Sequence, residues 1–287
     1  MPQFRVLTPI SLLLAACVTV AGAAEQLPLP LVSAKGSTVT PSFEGWYENP
    51  DGSYTMSFGY FNRNTEETVE IPIGPNNFIE PGDPNQGQPT VFQPQRHWGV
   101  FGVRVPADFG YDRVTWTLRM KGQTFSIPGH LHRDWQIDAL EGEANANNTP
   151  PVIRVGDREG RGPAGVTSEG MTAKVGEPLA VTVWGMDDGA PVSTGWRDGV
   201  PGLPINLTWS KFRGPGDVAF SESEQLIDVD GDTATMMATF DEPGEYLLHV
   251  YAVDASGQRA DGDLAVSMSG YAQCCWTNGF VPVTVNP

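Results

Sequence analysis

Cysteine is scarce in this 287-residue chain: Cys17, Cys274 and Cys275 are its only three. A framework of disulfides therefore does not hold the fold. Basic residues are also few, 17 against 34 acidic, for a net charge of −17. Such a surface repels nucleic-acid phosphates and anionic lipid headgroups, which excludes partners recruited by their negative charge. No window keeps a 3.6-residue apolar period, so long amphipathic helices are not expected. The one extended apolar run, residues 10–20, is too short and too weakly flanked for a membrane span.

What is plentiful is punctuation. Gly 33 and Pro 25 together make about a fifth of the chain, a composition that suits short strands and turns. The length allows two cores of ordinary size. The expected fold class is all-β, with two β-sandwich domains.

Residues 1–23 read as a signal peptide. Ala21-Gly22-Ala23 suits ordinary signal peptidase, while Leu14-Ala15-Ala16-Cys17 resembles the lipobox of lipoproteins, in which Cys17 would carry a lipid anchor. Both place the mature chain outside the cytoplasm, secreted or periplasmic. Residues 24–40 form a Pro-broken entry linker, residues 41–140 the first sandwich, residues 141–151 (EGEANANNTPP) a polar linker, and residues 152–287 the second domain.

In the first domain, Asn49-Pro50-Asp51-Gly52 supplies a hairpin turn. Tyr54, Met56, Phe58 and Tyr60 then alternate as a core row, with a sugar-binding aromatic platform as the sharper alternative. Residues 74–94 are Pro/Gly/Asn/Gln-rich and predict a long loop. His130, His132 and Asp134 fall on one side of an extended segment, a set that can chelate zinc, copper or iron, with His97 as a candidate fourth ligand; surface histidines that hold no metal are the preferred reading, and no cofactor is expected.

The second domain is organised around residues 238–254, ATFDEPGEYLLHVYAVD. Phe240, Tyr246, Leu248, Val250 and Ala252 occupy one face of the chain; Glu245, Leu247, His249 and Tyr251 occupy the other. The segments NTPPVIRV, KVGEPLAV, INLTWSKFRGPG and FDEPGEYLLHVYAVDASG resemble the PKD-like group of immunoglobulin-like domains over roughly residues 148–257 and the last strand. Trp209-Ser210-Lys211-Phe212 stands where typical members carry WDFGDG. The resemblance implies a two-sheet sandwich used for spacing, adhesion or ligand contact, without catalysis.

Two insertions depart from the minimal pattern, residues 187–204 and residues 256–279. In an immunoglobulin-like sandwich both loops emerge at the same end. Trp196, Arg197, Tyr271, Cys274, Cys275 and Trp276 are therefore expected to meet beside the first domain, as a ligand groove or as a buried contact. Adjacent α-carbons lie about 3.8 Å apart, below the usual disulfide range of about 4.4–6.8 Å. A vicinal Cys274–Cys275 bridge would stiffen the chain locally without stapling the fold; two buried thiols, an intermolecular bridge and a thiolate metal site stand as alternatives. His249 reads as a solvated or docking residue rather than a catalytic base. Asp228, Asp230 and Asp232 form an acidic turn without the EF-hand order, and residues 145–151 resemble a cadherin linker with Asn in place of Asp.

The expected function is an exported non-catalytic binding or structural module that contacts protein or carbohydrate at the cell surface. One alternative is a metal-dependent hydrolase or oxidase built on His130, His132 and Asp134. A second is an adhesin stiffened by calcium.

Overall fold

The structure, a computed structural model, describes residues 33–140, 149–189, 204–253 and 275–287. Apart from one 3-10 turn at Arg133–Trp135, every described element is a strand. Among the described residues no helix is long and apolar enough to cross a membrane.

The first sandwich is built from β1 (Val39–Glu48), β2 (Tyr54–Asn62), β3 (Val69–Glu70), β4 (Asn77–Glu80), β5 (Val91–Phe92), β6 (Gln95–Val105), β7 (Val114–Met120) and β8 (Gln123–Gly129). One sheet runs β1-β2-β6 and the other β4-β7-β8, with β3 and β5 paired separately. Period-2 alternation in β2 turns Met56, Phe58 and Tyr60 inward, all buried. The row is core rather than an exposed platform. Phe58 stacks on Phe101 at 5.5 Å and Trp116 meets Phe101 edge-on at 5.0 Å, so rings fill the space between the sheets.

The expected long loop at residues 74–94 contains β4 and β5 and is stitched to the core. The fully buried Asn77 donates from Nδ2 to Ile71 O (2.9 Å) and Pro89 O (2.7 Å) and accepts from Trp116 Nε1 at 3.0 Å. One amide thus satisfies three buried backbone and indole groups that turn-rich composition leaves unpaired.

The second sandwich comprises β9 (Val152–Val155), β10 (Arg158–Arg161), β11 (Val166–Thr167), β12 (Met171–Lys174), β13 (Leu179–Met186), β14 (Ile205–Arg213), β15 (Val218–Phe220), β16 (Glu224–Ile227), β17 (Asp232–Phe240), β18 (Gly244–Val253) and β19 (Trp276–Asn286). Its sheets run β10-β9-β13-β17-β15 and β11-β19-β18-β14-β16, with β12 also on β19. This is an immunoglobulin-like arrangement: β11 and β12 run parallel to β19, and every other pairing is antiparallel. Phe240, Tyr246, Leu248, Val250, Ala252 and Trp209 all lie in the intersheet core.

The other face of the β14-β18-β19 sheet is covered over much of its length, with Glu245 and Thr284 left exposed at one end. Phe212 and Phe280 belong to the hydrophobic core of the first sandwich, and Leu247 packs against it. Residues 32–287 form one compact unit. The described contact between the sandwiches therefore runs along this outward sheet face. It forms because Phe212, Leu247 and Phe280 alternate with the inward residues and need a second apolar surface to cover them.

Candidate functional site

The seam between the sandwiches is organised by a set of aligned irregularities in the β1-β2-β6 sheet. Register slips between Phe43 and Gly45, so that Glu44 is an extra residue in β1. In the neighbouring pair, Phe58 faces Phe101 and Tyr60 faces His97, which leaves Gly59 opposite Trp98, Gly99 and Val100. These are β-bulges, and they re-aim side chains across the sheet. A Cβ at Gly59 would overlap both Glu44 Oε1 and the His97 carbonyl oxygen. Glycine there opens a path by which Glu44 crosses β2 and reaches β6.

Glu44 is 8% exposed. Its Oε1 accepts from Arg96 Nη2 (2.8 Å) and from Ser42 Oγ (2.8 Å), and the carboxylate also takes the Gly99 N–H. Burial nonetheless pushes its pKa up to about 7, because desolvation outweighs the attraction of Arg96 and the hydrogen bonds from Ser42 and Gly99. Arg96 in turn lies over the Trp98 ring, 3.9 Å from its centroid.

Gly99 carries the arrangement across the seam. Its carbonyl oxygen accepts from Asn278 Nδ2 at 2.8 Å and from Trp276 Nε1 at 3.1 Å. It sits at φ +52°, and any Cβ would overlap the Trp276 ring. Asn278 also donates to Pro163 O at 2.7 Å and pairs with His249 Nε2 at 2.9 Å. His249 is buried among Phe212 (5.4 Å) and Phe280 (5.2 Å). Desolvation takes its pKa down to about 4, with the neighbouring His97 adding to the fall and Asn278 opposing it. Further bonds tie the seam together: Thr90 N to Phe212 O (3.1 Å), Arg213 Nε to Gln88 O (2.9 Å), Lys211 Nζ to Glu70 Oε1 (2.7 Å) and Ala164 N to Tyr47 Oη (3.0 Å).

Beside these contacts the sandwiches leave a cavity of about 300 Å³. The first domain lines it with Arg96, His97 and Trp98 from β6 and with the β5–β6 connection. The second lines it with Asn206, Thr208 and Ser210 on β14 and with His249 and Tyr251 on β18. The side chains at 206, 208 and 210 share the outward face because successive residues of a strand alternate, and Leu207 and Trp209 fill the core behind them. Asn206 is 7% exposed, and its Oδ1 has no hydrogen-bond partner among the described residues; the same holds for the buried Nε of Arg96. Both residues line the cavity, where water or a polar ligand can meet the two atoms.

The residues singled out from sequence fall partly outside the described residues. Trp196, Arg197, Tyr271 and Cys274 lie outside the described residues, as do residues 141–148 of the linker. Cys275 is fully buried, left-handed at φ +97° and disulfide-bonded. Trp276 is buried in the seam as the Gly99 partner. His130, His132 and Asp134 follow the end of β8, where the chain enters the 3-10 turn rather than staying extended. His130 Nδ1 accepts from His132 N (3.2 Å), His132 Nδ1 accepts from Asp134 N (3.4 Å), and His132 Nδ1 lies 3.5 Å from Asp134 Oδ2 at an exposed position. His97 does not join them, since β6 pairs with β2 and not with β8. Asp228 and Asp230 occupy the exposed turn before β17, where Asp230 N bonds Asp228 Oδ1 at 3.3 Å. Among the described residues no group of three or more His, Cys, Asp or Glu is placed to hold a metal ion.

No family model matches the chain, and no curated protein matches it. Among solved structures it is similar to domains 4 and 5 of the S-layer protein SbsC, with 14% identity, 62% of this chain and 66% of that one covered, and a TM-score of 0.25. It is also similar to the D00–D0 domain of intimin, with 10% identity, 86% and 100% covered and a TM-score of 0.27. A tandem of titin immunoglobulin domains gives 8% identity, 87% and 99% covered and a TM-score of 0.20. Scores of this size say nothing about activity. The immunoglobulin-like architecture rests on strand order and packing.

Of the cavity residues, sequence reasoning singled out His97, as a candidate metal ligand, and His249, as a solvated or docking residue; the polar residues of β14 escaped it, although one signal was present. The outward face of residues 244–253 carries Leu247, His249 and Tyr251, too apolar a row for a solvated sheet face in an acidic protein.

Proposed function

We propose that this protein is an exported, non-catalytic binding module whose two sandwiches act as one rigid body, with the ligand held in the cavity at their seam. The observation that carries the reading is the pairing of a tightly bonded interdomain contact with a cavity whose lining residues Asn206 and Arg96 each keep an unpartnered buried polar atom, Oδ1 and Nε. A site prepared in this way gains affinity because little ordering is needed on binding. Among the described residues, neither His97 nor His249, both with pKa values lowered by burial, is paired with a carboxylate that would orient it as a general base.

Export is supported by the signal-like N-terminal sequence and by the disulfide at Cys275, a bond that persists in oxidising compartments. Membership of the PKD-like group specifically is supported by the motifs of residues 148–257.

The test is a thermal-shift screen of a chemically mixed small-molecule library on the wild-type chain and on a Thr208→Trp variant, in which the indole fills the cavity. A compound that raises the wild-type melting temperature and leaves the variant unmoved supports the reading. A library with no such compound, or turnover of any compound by the purified protein, overturns it.

A further inference from the structure

This inference rests on the cavity's being a binding site and concerns what it holds. Charge narrows the answer first. Both cations that line the cavity are already held by carboxylates, Arg96 by Glu44 at 2.8 Å and Lys211 by Glu70 at 2.7 Å. An anionic ligand would find no unpaired positive charge there and would enter against a chain of net charge −17. A cationic ligand would meet the same two ion pairs, Arg96–Glu44 and Lys211–Glu70, and among the described lining only the exposed Glu224 carboxylate is left to hold it.

Polarity narrows it again. Gln93, Gln95, Asn206, Thr208 and Ser210 line the cavity. An amide offers both donors and acceptors, and a hydroxyl does the same. A ligand dense in hydroxyls matches such a lining, because each of its groups can also donate and accept. Asn206 Oδ1, nine-tenths buried and unpartnered, needs a donor from the ligand. A purely apolar ligand would seal that oxygen away unsatisfied. Ring surface is present too, in Tyr251 and in Trp98, one face of which Arg96 covers, and suits the C–H faces of a ring.

We propose that the seam cavity binds a short neutral saccharide, packed against Trp98 and hydrogen-bonded through Asn206. The experiment is titration calorimetry of the full chain with cellotriose, maltotriose and chitotriose, alongside sialyllactose as an anionic probe and spermidine as a cationic one. At least one neutral trisaccharide is expected to bind saturably at one site per chain. Trp98→Ala and Asn206→Leu each weaken it about tenfold or more, and Thr208→Trp abolishes it. Trp98→Phe, which retains a ring, keeps most of the affinity, so a misfolded Trp98→Ala leaves the claim testable.

If only sialyllactose, spermidine or a non-saccharide compound binds, and Thr208→Trp blocks it, the saccharide assignment falls while the binding cavity stands. If a neutral saccharide binds but none of the variants changes its affinity, the site lies elsewhere and the assignment is overturned. If nothing binds in this titration or in the library screen, both fall.

Discussion

His249 Nε2 lies 2.9 Å from Asn278 Oδ1. Both hydrogens of the Asn278 amide go to the Gly99 and Pro163 carbonyls, so its oxygen must accept, and the histidine carries its proton on Nε2. This single asparagine joins strand β19, the histidine of β18, the β10–β11 connection and the first sandwich.

Asn278→Leu is predicted to lower stability by about 2–4 kcal/mol, since it removes the donor to the Pro163 carbonyl, one of two donors to the Gly99 carbonyl and the acceptor of the His249 N–H. Urea denaturation measures it. An unchanged midpoint would show that the seam bonds contribute nothing.

Gly99→Ala is predicted to cost about 2–3 kcal/mol through overpacking and the left-handed backbone, because its methyl would overlap Trp276. The release of Trp276 should appear as a red shift of tryptophan emission at denaturant concentrations that leave the wild type folded.

His249 supplies an acid-side dependence. Its folded pKa of about 4 lies below its ordinary 6.5, so between these values the unfolded chain binds a proton that the folded one does not. Stability is therefore lost as pH falls from about 6.5 towards 4. His97, also lowered by burial, acts in the same direction. His249→Gln should remove its share of this loss in melting curves taken across pH 4 to 6.5.

Glu44 does the reverse. Its folded pKa of about 7 lies above its ordinary 4.5, so between these values the folded chain keeps a proton that the unfolded one has released. Stability falls as pH rises from about 4.5 through 7. The two slopes oppose each other over their common window, and Glu44→Gln should steepen the acid-side loss that His249 causes. A variant whose pH profile matches the wild type would show that Glu44 is already ionised in the folded protein.

Much of the fold was legible along the chain. The alternation in residues 244–253 and in β2 identified the inward residues, because strand geometry sends successive side chains to opposite faces whatever the partner strand. Gly and Pro spacing located the hairpin at residues 49–52. The loop at residues 74–94 was less legible: Asn77 acts on Pro89 and Trp116, partners that composition does not reveal. The cavity was not legible. Asn206 and Arg96 are ordinary polar residues in sequence, and their unpaired atoms exist only once the sandwiches have met.

Composition and alternation alone determined an all-β chain and the inward face of each main strand, since both follow from local backbone geometry and the exclusion of water from apolar side chains. Only the tertiary structure decided what covers the outward face of β14, β18 and β19, and where a ligand could sit. That outcome depends on bulges aligned across three strands and on Gly99 meeting Asn278, 179 positions away. Register and long-range contact are properties of paired strands, not of any one of them.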